Sequence, residues 1–306
     1  MEIGIAVGDL RGPTTAAELV RQVQEAADLG FHTAWTSQAL GWDALVALAA
    51  VGRVPGIGLG TAVIPTPQRH PLALASTALS VQAAVGNRLT LGVGAGVAAM
   101  TAGMFGLPVD RPVRRMREYL EVLGPLLRGA PVDHRTGELT AVGSVQVPGA
   151  APPPVLLAAL GPAMLRLAGE LTDGTVTWMT GPRTLAEHVV PTITRAAAAG
   201  LRPAPRVVAG LLVCVTTDAD DVRARIAERF GLAGQVPEYR AVLEREGADG
   251  PQDVAIVGDE AAVAAGVRRI RDAGVTELLA APFGTVEEQL RTVRLLRDCV
   301  LQPHRG

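Results

Sequence analysis

The chain contains no lysine, and all 28 of its basic residues are arginine. Chemistry that needs a lysine amine is thereby excluded: Schiff-base aldol cleavage, pyridoxal phosphate catalysis and P-loop phosphoryl transfer. Cysteine is nearly as scarce. Cys214 and Cys299 lie far apart without metal-ligand spacing, which gives no basis for a disulfide framework or a zinc site and points to a reducing cytoplasm. There is no charge excess either, since 28 basic against 30 acidic residues leaves a net −2, and nucleic acid is not expected as a partner. Long hydrophobic runs are missing as well. The most apolar region, 44–64, is interrupted by Arg53 and Pro55, short of the ~20 residues a membrane span needs. The N-terminus lacks the basic flank of a secretory signal and reads as a first buried strand. No metal is expected, because HExxH does not occur and His32, His134, His188 and His304 are scattered. A GxSxG elbow is absent too.

What is present is a rhythm. Hydrophobic residues make up 48% of the chain, enough for a large core, and 35 glycines and 22 prolines supply many short connections. Runs rich in Val, Ile, Leu and Thr alternate with stretches of helical period, the pattern of βαβ units around a parallel sheet. Eight strands are predicted: Glu2–Gly8, Thr33–Ser37, Ile57–Ile64, Leu89–Gly94, Val155–Leu160, Thr175–Met179, Val207–Thr216 and Thr276–Ala281. Several are continuously apolar, as strands covered on both faces must be. Thr15 with Glu18, and Thr285 with Glu288, have capping-box spacing, and Gly30 has the place of a helix stop. Asp110 and Pro112 are expected as N-cap and first residue of a helix whose buried stripe is Val113, Met116, Leu120, Leu123 and Leu127. Pro191 is expected to end or kink a helix that begins near Thr184. Eight strands with interleaved helices predict one α/β unit over 1–306, a (β/α)8 TIM barrel; a doubly wound open sheet is the alternative. The stretches 96–110, 129–154 and 231–257 break the rhythm and are expected as insertions, those after strand C-termini walling a site at that face.

Candidate chemistry sits at strand ends. Gly92-Val93-Gly94-Ala95-Gly96 follows the fourth strand rather than the first and opens no helix, so it fits close backbone approach at a barrel rim as well as cofactor contact. Arg69 and His70 end a strand that runs into three prolines, either as loop-capping and structural residues or as part of a site. Aromatics are only 3% of the chain; Trp35 and Trp42 bracket the end of strand two and Trp178 ends strand six, positions from which tryptophans can line a pocket for a flat ring or simply fill a core.

The chain resembles the luciferase-like flavin and deazaflavin oxidoreductases, in particular the branch that uses coenzyme F420. The likeness rests on four segments in order: Leu59–Pro65 with Arg69-His70-Pro71, Asn87–Gly96, Arg111–Leu120, and Pro154–Pro162 through Ala168–Gly174. It implies a (β/α)8 barrel with the ring cofactor at the C-terminal face, usually in a homodimer. It also implies a non-proline cis peptide at Ala62-Val63 behind the ring, with Ile64 beside it. Gly94, Ala95 and Gly96 would approach the ring or its side chain, while Leu160, Gly161, Thr180 and Gly181 would hold the phosphate end through backbone amides. The acidic tail of the deazaflavin would meet arginine.

The departures from the family pattern narrow the chemistry. Sugar-phosphate and alcohol dehydrogenases of the family carry Ser-Asp-His after strand two and Glu after the glycines; here stand Ser37-Gln38-Ala39 and Val97. Alcohol oxidation needs a base on the hydroxyl. Hydride reduction of an activated C=C or C=N bond in a small metabolite fits better, with Gln38 as the candidate catalytic residue and Trp42, Val97 and Trp178 near the substrate. The alternatives are an FMN-dependent luciferase-type monooxygenase and a catalytically silent cofactor-binding barrel.

Overall fold

The computed structural model describes residues 1–301 apart from 9, 10, 13 and 235; His304 lies outside the described residues. Its strands in chain order are β1 (Glu2–Ala6), β2 (Thr33–Thr36), β3 (Gly58–Thr61), β4 (Ile64–Pro65), β5 (Leu89–Gly94), β6 (Val132–Arg135), β7 (Thr140–Gly143), β8 (Val155–Ala158), β9 (Gly174–Trp178), β10 (Arg206–Val215), β11 (Ile256–Gly258) and β12 (Glu277–Pro282). Parallel neighbours run β1-β2-β3-β5-β8-β9-β10-β12, and β12 pairs with β1. Thr175 of β9 lies opposite Val207 of β10, which closes the ring. All eight predicted runs are barrel strands, and the open doubly wound sheet is excluded because a closed cylinder has no edge. Strands β2, β5 and β12 are buried along their whole length, between the interior and the surrounding helices.

The predicted caps hold in part. Thr15 accepts from the Glu18 amide at 3.3 Å, and Gly30 takes φ +80 behind helix Ala16–Asp28. Thr285 and Glu288 form both halves of their box, at 3.2 and 2.8 Å. Asp110 is not an N-cap. Arg111 holds that position in a left-handed conformation, because the Asp110 carboxylate is drawn to the guanidinium groups of Arg111 and Arg115; Pro112 does open the helix. Pro191 does not end its helix, which begins at Pro182 and runs to Ala199. A π-turn at Leu185–Val189 precedes it and accommodates the ring and the missing donor.

All three insertions carry secondary structure, 96–110 a short helix at Ala98–Thr101. Residues 129–154 include an antiparallel hairpin, β6 with β7. Residues 231–257 are not irregular: they continue helix Ala219–Gly234 into helices Pro237–Glu246 and Pro251–Val254 and then β11, which extends the sheet beside Val213–Val215. A three-residue strand is too short to show a period, which is why the sequence pattern missed it.

The barrel floor is polar and closed. Trp35 is fully buried in the interior, where its Nε1 donates to Glu277 Oε1 at 2.8 Å; Gly4 and Gly60 leave the room its ring occupies. Arg206 Nη2 meets Glu277 Oε2 at 2.9 Å, and its Nη1 donates to Thr90 Oγ1 at 3.2 Å. Trp35 is therefore core, not a wall of the rim.

Candidate functional site

At the C-terminal ends of the strands a second apolar cluster gathers side chains from across the barrel. Ala62, Val63, Ala158, Trp178 and Phe230 are partly buried against Leu156, Val176, Leu212, Leu279 and Phe283. The peptide Ala62-Val63 is cis, at the position the resemblance implied. Its surroundings are fixed from three sides. The Ala62 amide donates to Thr36 O at 2.7 Å, the Thr61 hydroxyl bridges Gly92 N and Gly92 O at 2.8 and 2.9 Å, and Thr66 Oγ1 donates to Gly94 O at 3.1 Å. Gly94 faces Val63 and Ala158 so closely that a Cβ there would press on both side chains. This is close backbone approach at the rim, and it assembles Ala62, Val63, Gly94 and Trp178 on one wall.

The other expected residues are placed less uniformly. Ile64 and Ala95 point into the core between barrel and helices, away from that wall. Gly96 turns the chain at φ +74, and Val97 is the N-cap of the short helix Ala98–Thr101. Trp42 packs on the outer core and donates its Nε1 to Thr14 O at 2.9 Å, so it does not join Trp178. Gln38 is held by its carbonyl: Oε1 accepts from Arg69 Nη2 at 3.0 Å and from the Ala44 amide at 3.3 Å. Arg69 is itself paired with Asp43, which caps helix Ala44–Ala50. With its oxygen occupied, the Gln38 amide presents its NH2, a donor and not a base. His70 is structural: Nδ1 accepts from the Leu72 amide as an N-cap, leaving Nε2 to donate to Thr140 O at 2.8 Å.

Two helix N-termini flank this wall. Gly161 is the exposed N-cap of helix Pro162–Leu171, has no side-chain cap, and has open space where a Cβ would stand. Gly181 is the buried N-cap of helix 182–199, with buried Thr180 before it. The two ends are tied together by His188, whose Nε2 donates to Leu160 O at 2.9 Å. At the second end a carboxylate is already seated. Glu246 accepts from the Arg183 amide through Oε1 at 3.1 Å and from the Thr184 amide through Oε2 at 2.7 Å. First-turn amides and the positive pole of a helix favour negative charge, so this end is an anion seat with an internal anion in it.

Two titratable groups near the wall stay neutral. Burial pushes the Cys214 thiol up to about 12, so it remains protonated and is no nucleophile at neutral pH. Burial likewise pushes the Tyr239 hydroxyl up to about 12. Among the described residues no group of His, Cys, Asp and Glu is arranged to hold a metal ion, and no helix is long and apolar enough to cross a membrane.

Sequence reasoning missed Phe230, Phe283, Ala158 and Glu246. Phe283 directly follows β12 and Ala158 ends β8, so strand ends alone would have flagged both. Phe230 and Glu246 come from helices crossing the mouth, for which no local pattern gives the destination. Arg229 lies 5.5 Å and 6.0 Å from the Phe230 and Phe283 ring centres.

The luciferase-like monooxygenase family profile matches residues 2–277, and the chain belongs to that family. A 5,10-methylenetetrahydromethanopterin reductase of Archaeoglobus fulgidus is 31% identical over 243 residues, 75% of this chain and 70% of that protein. A Mycobacterium tuberculosis protein that carries the provisional name of a coenzyme F420-dependent oxidoreductase is 32% identical over 200 residues; the match spans 60% of this chain and 57% of that relative's length. The structure of the F420-dependent tetrahydromethanopterin reductase of Methanopyrus kandleri superposes with a TM-score of 0.79 at 22% identity, covering 99% of both chains, a likeness of fold.

Proposed function

We propose that this chain is a coenzyme F420-dependent oxidoreductase that reduces an activated C=C or C=N bond of a small metabolite. The observation that carries the reading is the make-up of the mouth: an apolar wall of Val63, Ala158, Trp178 and Phe230 beside helix ends suited to a phosphate. A flat heterocycle with an anionic tail fits such a site, since the ring needs apolar faces and the tail needs unpaired amides. The second end already holds the carboxylate of Glu246 on the amides of Arg183 and Thr184, which supports reading a helix end here as favouring negative charge and leaves the Gly161 end for the tail. The relative named for F420 supports the choice of cofactor, and the one named a methylenetetrahydromethanopterin reductase supports reduction as the direction.

When bound in reduced form, the cofactor would supply a hydride, with the balancing proton drawn from water. The chain's own residues do the rest. Ala62 and Val63 would back the ring, Trp178 would cover its substrate side, and Gly161 with Leu160 would hold the phosphate end. Gln38 would donate its NH2 to an acceptor on the substrate and withdraw electron density from the double bond. An amide cannot take a proton from an alcohol, which is why reduction is favoured over alcohol oxidation. Excluding water from the apolar wall protects the hydride from solvent.

The test is a pair of titrations on the purified protein, one with F420 and one with FMN, each followed by fluorescence quenching. The expected result is clearly tighter binding of F420, with turnover on a panel of enones and imines. Tighter FMN binding with oxygen uptake would replace this reading with the monooxygenase one, and binding without any turnover would leave a silent cofactor-binding barrel.

A further inference from the structure

Helix Ala219–Gly234 reaches the mouth with one apolar face and one free charge. Val222, Ile226 and Phe230 stand four residues apart and so on one side of the helix. The first two are fully buried in the cluster that holds Leu156, Val176, Leu212 and Leu279, and Phe230 is half-buried against it. The same helix carries three arginines. Two of them are spent on carboxylates, Arg223 on Asp220 at 3.4 Å and Arg225 on Asp221 and Glu288 at 2.8 and 3.1 Å. Among the described residues Arg229 meets no carboxylate and no carbonyl; its guanidinium lies instead over two aromatic rings, 5.5 Å from the centre of Phe230 and 6.0 Å from that of Phe283.

Those two rings belong to the apolar wall. Their centres are 6.2 Å apart with the planes inclined by 60°, and Phe230 also lies against Trp178. A guanidinium shared by two ring faces is attracted by both and loses part of its water to them, which strengthens any further interaction it makes. Its N–H groups stay unspent, and they form the planar fork that matches a carboxylate. The place of this charge also separates it from the cofactor's phosphate end. Phe283 follows β12 and Gly161 follows β8, and these strands stand three places apart in the ring of eight. Arg229 therefore sits across the mouth from Gly161.

We propose that Arg229 anchors a carboxylate of the substrate: the site takes a small enone or imine that also carries a carboxylate, with its flat part on the apolar wall and its charge on Arg229. The reducible bond in this assignment rests on the cofactor reading above; the carboxylate contact does not. The redox step is the one already given. A hydride passes from reduced F420 to the electrophilic carbon of the C=C or C=N bond, and a proton from water reaches the other carbon or the nitrogen. The carboxylate keeps all its bonds and serves to hold and orient the reacting group.

The experiment titrates benzoate and benzamide, one flat ring with the charge and one without, into F420-loaded wild type, Arg229→Gln and Arg229→Lys, followed by calorimetry. F420 itself is titrated into the same three proteins. Arg229 is exposed, so the variants should melt as the wild type does. The wild type should bind benzoate about tenfold more tightly than benzamide, the worth of a hydrogen bond to a charged group. Arg229→Gln should bind the two alike, Arg229→Lys should keep part of the preference, and F420 affinity should be equal in all three. A wild type without the preference, or a preference that survives in Arg229→Gln, overturns the proposal and leaves the cofactor reading standing. Weaker F420 binding to Arg229→Gln overturns it too, by giving the arginine to the cofactor's acidic tail. If F420 binds none of the three, the cofactor reading fails, and the benzoate comparison on the cofactor-free proteins decides the carboxylate anchor by the same two outcomes.

Discussion

At the floor of the barrel Trp35, Glu277, Arg206 and Thr90 satisfy one another, whereas at the mouth Val63, Ala158, Trp178 and Phe230 are each only partly covered and the helix end at Gly161 has no side-chain cap. The floor is polar but closed. The mouth is apolar but open. The difference teaches that polarity alone does not mark a site in this fold. A buried ion pair whose every partner comes from the protein reports stability, while apolar surface that stays half-covered beside unspent amides reports a ligand.

The largest effect should come from breaking the floor. Glu277→Ala leaves the buried Trp35 indole without its acceptor and the half-buried Arg206 guanidinium without its ion pair, and an unsatisfied buried donor costs about 1–3 kcal/mol. Urea unfolding should show that loss as a lower midpoint, with F420 affinity of the folded protein unchanged. A loss below about 1 kcal/mol would mean that the floor does not hold the barrel together.

Not every polar group at the mouth end is free, and Glu288 sharpens the contrast. Burial alone would raise its carboxyl, but hydrogen bonds from the Thr285 amide, the Thr216 hydroxyl and Arg225 outweigh burial and hold it at about 2, below its ordinary 4.5. A depressed folded value stabilises the fold above pH 4.5, and that contribution fades as the pH falls from 4.5 toward 2. Thermal melts over this window should show Glu288→Gln with a flatter acid limb than the wild type. Parallel limbs would remove Glu288 from the account of acid stability.

At the open wall, Trp178→Leu keeps an apolar filler and discards the flat face. A lost aromatic contact is worth about 1 kcal/mol, so F420 should bind about fivefold more weakly, measured by quenching, while the unfolding midpoint moves little. A large stability loss with unchanged affinity would assign Trp178 to the core instead.

The floor and the mouth were not equally legible in the sequence. Period and propensity marked all eight barrel strands, because a strand buried on both faces is apolar throughout. The same rule hid the floor: Glu277 and Arg206 begin their strands and look like boundary residues until the barrel closes and turns them inward. At the mouth, positions at strand ends were readable, as Gly94 and Trp178 show, while Val63 came only from the family resemblance. Trp42 was misplaced because adjacency to a strand end does not give the direction of a side chain in the loop beyond it. Glu246 was out of reach for a different reason, since its partner amides lie 63 and 62 residues away and no local rule encodes that meeting.

The smallest expected effect on stability is also the most discriminating, because stability and binding should move in opposite directions. Gly161 opens helix Pro162–Leu171 with no side-chain cap, has an extended backbone with φ −77, and leaves open space on the side where a Cβ would stand. Aspartate fits there without strain and is among the best N-cap residues, so Gly161→Asp should leave the fold intact or raise its stability by a few tenths of a kcal/mol. The same carboxylate would occupy the first-turn amides of that helix and set a negative charge against a phosphate held at Leu160 and Gly161, and F420 should then bind about tenfold more weakly. A melt and a titration on one preparation check both signs. If affinity holds while the melt rises, the Gly161 end is an uncapped helix and nothing more, and the phosphate must be sought at the end that Glu246 covers.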